Sequence, residues 1–263
     1  MAAVPEILVA RDGAIATVVL SNPGKLNALT VAMWRALARV VDELSADDAL
    51  RCVVLRGAGS EAFAAGADIA EFATERDNAD QGRRYHREYV HGVLKAVGEC
   101  RHPTVAMIHG PCVGGGLEIA CACDLRIAGV SGRFGVPINR LGFAIAYDEL
   151  AAVLPLTGRA VALEILVEGR VWGAQEALEK GLVSRVVEDA RLEEEAYATA
   201  RRIADGAPLV SRWHKRFIRR LTPQPAPLTE AELAENFAYF ATEDYRIGMD
   251  AFAKKQKPRF KGR

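Results

Sequence analysis

The chain has 263 residues, of which half are apolar, and its 34 basic side chains match its 34 acidic ones. The length is enough to bury a substantial core. The net charge of zero argues against a nucleic-acid-binding surface or a polybasic membrane anchor, because both need an excess of lysine and arginine. No uninterrupted apolar run approaches the ~20 residues of a membrane span. The odd number of cysteines, five, favours reduced buried thiols in a cytoplasmic protein.

Strand-like and helix-like runs alternate along the chain, which predicts the α/β class. The predicted strands are residues 7–9, 15–20, 52–56, 104–108, 125–127 and 183–187. The predicted helices are residues 31–45, 117–122, 150–156, 160–167 and 174–180. Asp12-Gly13 is a hairpin signal between the first two strands, and Thr30 is predicted to cap the first helix. The polar span after Phe72 is predicted to be a mobile flap that becomes helical towards Cys100.

The composition changes from about Pro208. Further along the chain, three prolines predict a rigid link, Pro223, Pro225 and Pro227. Residues 228–249 follow as a long helical stretch without strands, whose apolar face needs a partner. We therefore predict a core domain over residues 1–205 and a helical oligomerisation region over residues 206–263.

Two turns rich in glycine and alanine each follow an apolar strand. One spans residues 63–69, and the other spans residues 110–118 with three consecutive glycines before a helix. Such glycines leave backbone N–H groups uncovered at a helix N-terminus, where the dipole favours negative charge. Two such turns facing each other would hold one oxyanion between two N–H groups. Taken alone, either turn is better explained as a tight turn made of small residues for packing.

In sequence, order and spacing, these turns resemble the crotonase, or enoyl-CoA hydratase/isomerase, superfamily. The resemblance runs from residues 15–28 to residues 258–261. It implies a crotonase-like ββα spiral core with a C-terminal helical trimerisation region, and hence a homotrimer or a dimer of trimers. It also implies an acyl-CoA substrate, with coenzyme A present as part of that substrate and no tightly bound cofactor.

The resemblance implies an oxyanion hole made by the N–H groups of Ala67 and Gly115. Glu118 matches the first of the two glutamates of the hydratases, where a carboxyl acts as general acid or base if burial raises its pKa. The alternative is a structural role, in which Glu118 is an acid at a helix N-terminus that the helix dipole stabilises.

The second hydratase glutamate is missing, because Ile138 occupies its place. Asp148 and Glu149 follow nearby, and either would supply a second acid; the alternative is that both only cap a helix. With Glu118 alone, isomerisation of an enoyl-CoA is chemically easier than hydration. Decarboxylation of a malonyl-type CoA and non-catalytic acyl-CoA binding are the alternatives to both.

The resemblance also implies a set of coenzyme A contacts, namely Lys25, Asn27, Ala28, Ala65, Asp68, Ile69, Phe252 and Lys255. For the two lysines, a solvated surface position is the alternative. No metal site is predicted, because His86 and His91 are five residues apart and do not share a helical face. A dinucleotide fingerprint at residues 57–62 is disfavoured, because no clear helix follows it.

Overall fold

The structure, a computed structural model, describes residues 4–222 and 226–263. The predicted link residues Pro223 and Pro225 lie outside the described residues. The described strands are β1 (Glu6–Asp12), β2 (Ile15–Ser21), β3 (Cys52–Gly57), β4 (Thr104–Ile108), β5 (Pro111–Val113), β6 (Leu125–Gly129), β7 (Arg133–Gly135), β8 (Trp172–Gly173) and β9 (Arg185–Val187). The described α-helices are α1 (Val31–Ala46), α2 (Phe72–Glu75), α3 (Ala79–Arg84), α4 (His91–Glu99), α5 (Gly115–Ala122), α6 (Tyr147–Leu163), α7 (Ala174–Glu179), α8 (Asp189–Ala204), α9 (Pro208–Leu221), α10 (Glu230–Asn236) and α11 (Glu243–Ala253).

Two sheets organise the core. The larger has the order β1-β2-β3-β4-β6-β9, and the smaller has the order β5-β7-β8. The β1–β2 pair is antiparallel, as the hairpin signal predicts, and the remaining pairs of the large sheet are parallel. The α/β class predicted from the alternating pattern is therefore confirmed.

Both faces of the large sheet are covered. Alternate side chains of β2, such as Val18 and Leu20, pack into the main core with α1 and α4. Ile15 points to the opposite face and packs with Leu192 and Ala196 of α8. Helices on both faces explain why these strands are continuous apolar runs rather than alternating polar and apolar ones.

Local signals account well for the first helix. The Thr30 hydroxyl accepts a hydrogen bond from the Met33 N–H at 3.2 Å, which caps α1 as predicted. The flap expected after Phe72 is instead a series of helical turns, α2, α3, a π-helical turn over Tyr85–Val90, and α4. Tyr85 and Val90 are buried in the main core, so apolar packing overrides the polar composition of this span.

One helical stretch, Tyr147–Glu168, has 22 residues and contains an 18-residue window with a mean hydropathy of 1.8, which are the length and composition of a membrane span. Arg159 and Glu164 interrupt that window, so the prediction that no uninterrupted apolar run reaches this length is not contradicted. Gly158 interrupts the stretch with φ 72° and ψ 173°. A lipid-exposed span needs an unbroken pattern of internal backbone hydrogen bonds, and this stretch lacks one.

The helical stretch without strands predicted over residues 228–249 is confirmed, but it is divided into three shorter helical segments. The structure has α10, a 3₁₀ turn over Ala238–Ala241, and α11. Thr242 has an extended backbone, and its hydroxyl accepts from the Tyr245 N–H at 3.1 Å, so a capping residue starts a new helix there. Helix α11 then packs against a 3₁₀ turn, Pro137–Leu141, which brings the C-terminal residues back to the core.

Candidate active site

A cavity of about 900 Å³ lies between the two glycine turns, α6 and the C-terminal tail. The sequence-predicted residues that line it are Ala65, Ala67, Ile69, Gly115, Glu118, Ile138, Glu149 and Phe252. The structure therefore brings together residues from four separate parts of the chain. Such a cavity has the size expected for a small-molecule site.

Backbone hydrogen bonds hold the two glycine turns side by side. The Val113 N–H donates to the Ala64 carbonyl at 3.0 Å. Gly66 has φ 97°, and a Cβ built on it would lie 3.1 Å from the Val113 carbonyl oxygen and 3.7 Å from the Gly115 nitrogen. Within residues 4–222 and 226–263, the N–H groups of Ala67 and Gly115 have no acceptor. Two unpaired donors, of which Gly115 lies at the N-terminus of α5, make this corner of the cavity suitable for an anionic oxygen.

Glu118 projects from the first turn of α5 and is only 5% exposed. Burial raises the pKa of Glu118 well above its ordinary value, the Glu149 charge raises it further, and the Arg76 guanidinium opposes both. The carboxyl therefore holds its proton under conditions where an exposed glutamate is ionised. A protonated carboxyl lining a cavity is able to act as a general acid.

Glu149 lies in the first turn of α6 and is 4% exposed. Its Oε1 pairs with Nδ1 of His86, and its Oε2 accepts from the Ala146 N–H at 3.2 Å. Burial favours the neutral acid, but His86, Arg76 and the Ala146 N–H together outweigh it, so the pKa of Glu149 is lowered. This carboxyl is therefore held as the anion.

Asp148, the other acid considered from the sequence, does not line the cavity. Its side chain is 52% exposed and lies 3.3 Å from Nδ1 of His91 on the surface. Successive residues of a helix point about 100° apart, so only one of two neighbouring acids faces the cavity.

Two buried side chains of the cavity wall, Arg76 and His86, are not predicted as site residues from the sequence. Burial lowers the pKa of His86 more than the Glu149 charge raises it, so the ring is neutral and donates its Nδ1–H to the Glu149 carboxylate. The sequence spacing relates His86 only to its neighbour His91, whereas its hydrogen-bond partner Glu149 lies 63 positions away. No local spacing carries that signal.

The residues predicted to contact coenzyme A fall into two groups in the structure. Ala65, Ile69 and Phe252 line the large cavity, whereas Lys255 is exposed and does not. The others stabilise the adjacent turn, in which Lys25 pairs with Asp68 at 2.6 Å.

Asn27 shows why that turn holds its shape. Its carboxamide donates to the carbonyls of Ala58 and Ala62 and accepts from the Asn22 N–H. The Ala28 carbonyl in turn accepts from the Asn22 side chain at 2.6 Å. Asn27 also lines a second cavity of about 250 Å³ beside this turn.

The chain is similar to known proteins over nearly its whole length. Residues 10–263 match the model of the family described as enoyl-CoA hydratase/isomerase. A probable enoyl-CoA hydratase of Rhizobium meliloti is 35% identical over 260 residues, which cover 98% of each chain. A short-chain-enoyl-CoA hydratase of Clostridium acetobutylicum is 32% identical over 253 residues, or 96% of each chain.

Solved structures show the same similarity. An enoyl-CoA hydratase/carnithine racemase from Magnetospirillum magneticum is 51% identical, with a TM-score of 0.81 over 98% of this chain and 96% of that one. A methylmalonyl-CoA decarboxylase in complex with 2-nitronate-propionyl-CoA is 27% identical, with a TM-score of 0.88 over 98% of both chains. The chain therefore belongs to the enoyl-CoA hydratase/isomerase family and has the crotonase fold with its C-terminal helical region.

Proposed function

We propose that this protein catalyses proton transfer at the enolate of an acyl-CoA thioester, and that its reaction is the reversible hydration of an enoyl-CoA. One observation carries this proposal: two buried carboxyls line one cavity, and their pKa values are shifted in opposite directions. In enzymes, two titratable groups of one site whose pKa values are shifted in opposite directions usually act as the general acid and the general base. The family membership supports the acyl-CoA substrate.

The thioester carbonyl oxygen binds between the N–H groups of Ala67 and Gly115. As the enolate forms, negative charge develops on this oxygen, and preorganised donors then stabilise it more than they stabilise the ground state. Removing one such donor in enzymes of this kind costs about 3 kcal/mol of transition-state stabilisation. The corner between the two turns thus lowers the barrier to enolate formation.

Two proton transfers complete the reaction. The Glu149 carboxylate takes a proton from water as the water oxygen bonds to the β-carbon and the double-bond electrons move into the thioester. The Glu118 carboxyl then gives its proton to the α-carbon as the enolate collapses. Glu149 thus does the work of the carboxyl that Ile138 replaces, which removes the sequence-based reason for preferring isomerisation.

Decarboxylation of an acyl-CoA is the second candidate reaction, because this chain resembles the structure of a methylmalonyl-CoA decarboxylase with a TM-score of 0.88. An oxyanion hole alone stabilises the enolate that remains after loss of carbon dioxide. Isomerisation by Glu118 and non-catalytic acyl-CoA binding are the further alternatives. Each makes a different prediction for a small substrate panel.

The panel consists of crotonyl-CoA for hydration, a β,γ-unsaturated acyl-CoA for isomerisation and methylmalonyl-CoA for decarboxylation. We expect hydration that falls by roughly 100-fold or more in Glu118→Gln, while acyl-CoA binding persists. Isomerisation or decarboxylation without hydration would contradict the role of Glu149. Binding of all three thioesters without turnover would support the non-catalytic alternative.

We also propose a cytoplasmic homotrimer, or a dimer of trimers, assembled through residues 206–263. Helix α9 supports this, because it exposes a row of large apolar side chains, Leu209, Val210, Trp213, Phe217, Ile218 and Leu221. Contiguous exposed apolar surface of this kind marks a protein interface. Coenzyme A enters only as part of the substrate.

A further inference from the structure

Arg76 is a buried cation in the wall of the acyl cavity. It follows α2 and is 3% exposed. One nitrogen, Nη2, donates to the Tyr239 hydroxyl at 3.0 Å, and the buried Nε has no hydrogen-bond partner. Throughout residues 4–222 and 226–263, no aspartate or glutamate oxygen lies within 4.0 Å of its guanidinium nitrogens.

Aromatic rings hold this guanidinium in place. Its central carbon lies 4.1 Å from the ring centre of Phe143 and 4.8 Å from that of Phe72. Ring faces attract a cation, but they offer no charge to neutralise it. A buried cation without a bound anion is costly, so its presence in a cavity wall calls for a charged partner.

The two acids of the cavity do not fill that role. Glu149 is hydrogen-bonded to His86 and to the Ala146 N–H, and Glu118 keeps its proton. Both feel the charge of Arg76 at a distance, but neither contacts it. The guanidinium therefore lines the cavity with the Glu149 charge acting on it only from a distance and with no carboxylate of the described residues in direct contact.

We propose that Arg76 binds a carboxylate on the acyl group, so that the substrate is the CoA thioester of a dicarboxylic acid. This inference rests on the proposed acyl-CoA function. A guanidinium and a carboxylate match in charge and in planar geometry, and pairing is strongest where water is excluded. A neutral acceptor such as a hydroxyl would fill a donor position but leave the charge unbalanced.

Binding of saturated acyl-CoA thioesters tests the role of Arg76 apart from the proposed hydration, because these thioesters have no double bond to hydrate. Glutaryl-CoA and pentanoyl-CoA have the same number of acyl carbons and differ by one carboxylate, and succinyl-CoA with butyryl-CoA forms a shorter pair. We expect the chain to bind one dicarboxylic thioester at least tenfold more tightly than its neutral match in calorimetry. Equal binding within both pairs would overturn the role of Arg76 and leave the proposed function standing. No binding of any thioester would contradict the proposed function instead.

Variants then assign the preference to this residue. We expect Arg76→Met to reduce the preference for the dicarboxylic thioester over its neutral match to less than twofold, while neutral thioesters still bind. Arg76→Lys should keep part of this preference. The control is Arg84→Met, which removes an equal charge from an exposed arginine paired with Glu75 in the same segment. A preference that survives in a folded Arg76→Met, as judged by circular dichroism, would refute the inference. If Arg76→Met does not fold, the wild-type comparison and a folded Arg76→Lys decide. A preference in Arg76→Lys below that of the wild type, with unchanged binding of neutral thioesters, would support the inference, and a preference equal to that of the wild type would count against it.

Discussion

His86 and Glu149 lie 63 residues apart in the chain and form a buried hydrogen-bonded pair in the cavity wall. Both side chains are less than 10% exposed, and the pair joins the π-helical turn before α4 to the first turn of α6. The neutral ring donates its Nδ1–H, so the carboxylate keeps its charge in a place where burial alone would neutralise it. This pairing distinguishes Glu149 from its neighbour Asp148.

Removing the imidazole is expected to change the pH profile. In His86→Phe, Glu149 loses a donor and its pKa rises, so the acid limb of kcat/KM moves to higher pH by about one unit or more. The direction follows because Glu149 acts as the ionised base, and a higher pKa removes the active form as the pH falls. The control is His91→Phe, which removes the partner of the exposed Asp148. An unchanged acid limb in His86→Phe would show that Glu149 is not the base.

The two neighbouring acids give a matched test of which one acts. Glu149→Gln is expected to lower the hydration kcat by roughly 100-fold or more, because the amide is unable to take a proton from water. Asp148→Asn is expected to change kcat by less than about twofold, because that side chain lies outside the cavity. Steady-state kinetics on crotonyl-CoA measures both. Equal effects of the two substitutions would contradict the assignment.

Stability should depend on Glu118 in a defined direction. Its folded pKa lies above the unfolded value, so its contribution to stability is fully present below the unfolded pKa and is lost as pH rises through the folded pKa. Glu118→Gln does not titrate, and wild type should therefore lose stability relative to it by up to about 1.4 kcal/mol per pH unit over that window. Urea unfolding between about pH 5 and pH 9 measures this difference. A constant difference would mean that the pKa of Glu118 is not raised.

Alanine substitutions at two helical glycines, Gly115 and Gly92, distinguish loss of the oxyanion hole from the general effect of alanine on helix stability. A Cβ on Gly115 would lie 2.8 Å from the buried Trp34 ring, so Gly115→Ala should destabilise the fold by about 1–3 kcal/mol. Displacing its N–H should also lower kcat by roughly 100-fold. In Gly92→Ala, nothing lies within 4 Å of the new Cβ, and the helix should gain about 1 kcal/mol. Thermal melts measure the stability of both variants, and steady-state kinetics measures their kcat. Similar kcat values for Gly115→Ala and Gly92→Ala would argue against the oxyanion hole.

The apolar row on α9 is expected to control assembly. Phe217 is 51% exposed, and Phe217→Glu should shift the mass in solution towards the monomer, because an interface does not accept an unpaired charge. Sedimentation velocity measures the change, and the exposed Arg216→Glu on the same helix is a control for added negative charge. A monomeric wild-type chain would refute the proposed trimer.

Local sequence determined much of the architecture. Asp12-Gly13 predicted the β1–β2 hairpin, Thr30 predicted the start of α1, and the apolar runs predicted the strands of the large sheet, because turns, caps and buried strands depend on a few adjacent residues. The order of the two glycine turns also indicated the family to which the chain belongs. The predicted two-part division at residue 205 stays a prediction.

Only the tertiary structure decided how the cavity is charged. Whether Asp148 or Glu149 enters it depends on the rotation of α6, and the role of His86 depends on a partner 63 residues away. Arg76 gains its environment from Phe143 and from Tyr239, which lies 163 residues further along the chain. Burial and long-range pairing set these protonation states, and neither leaves a mark in local composition or spacing.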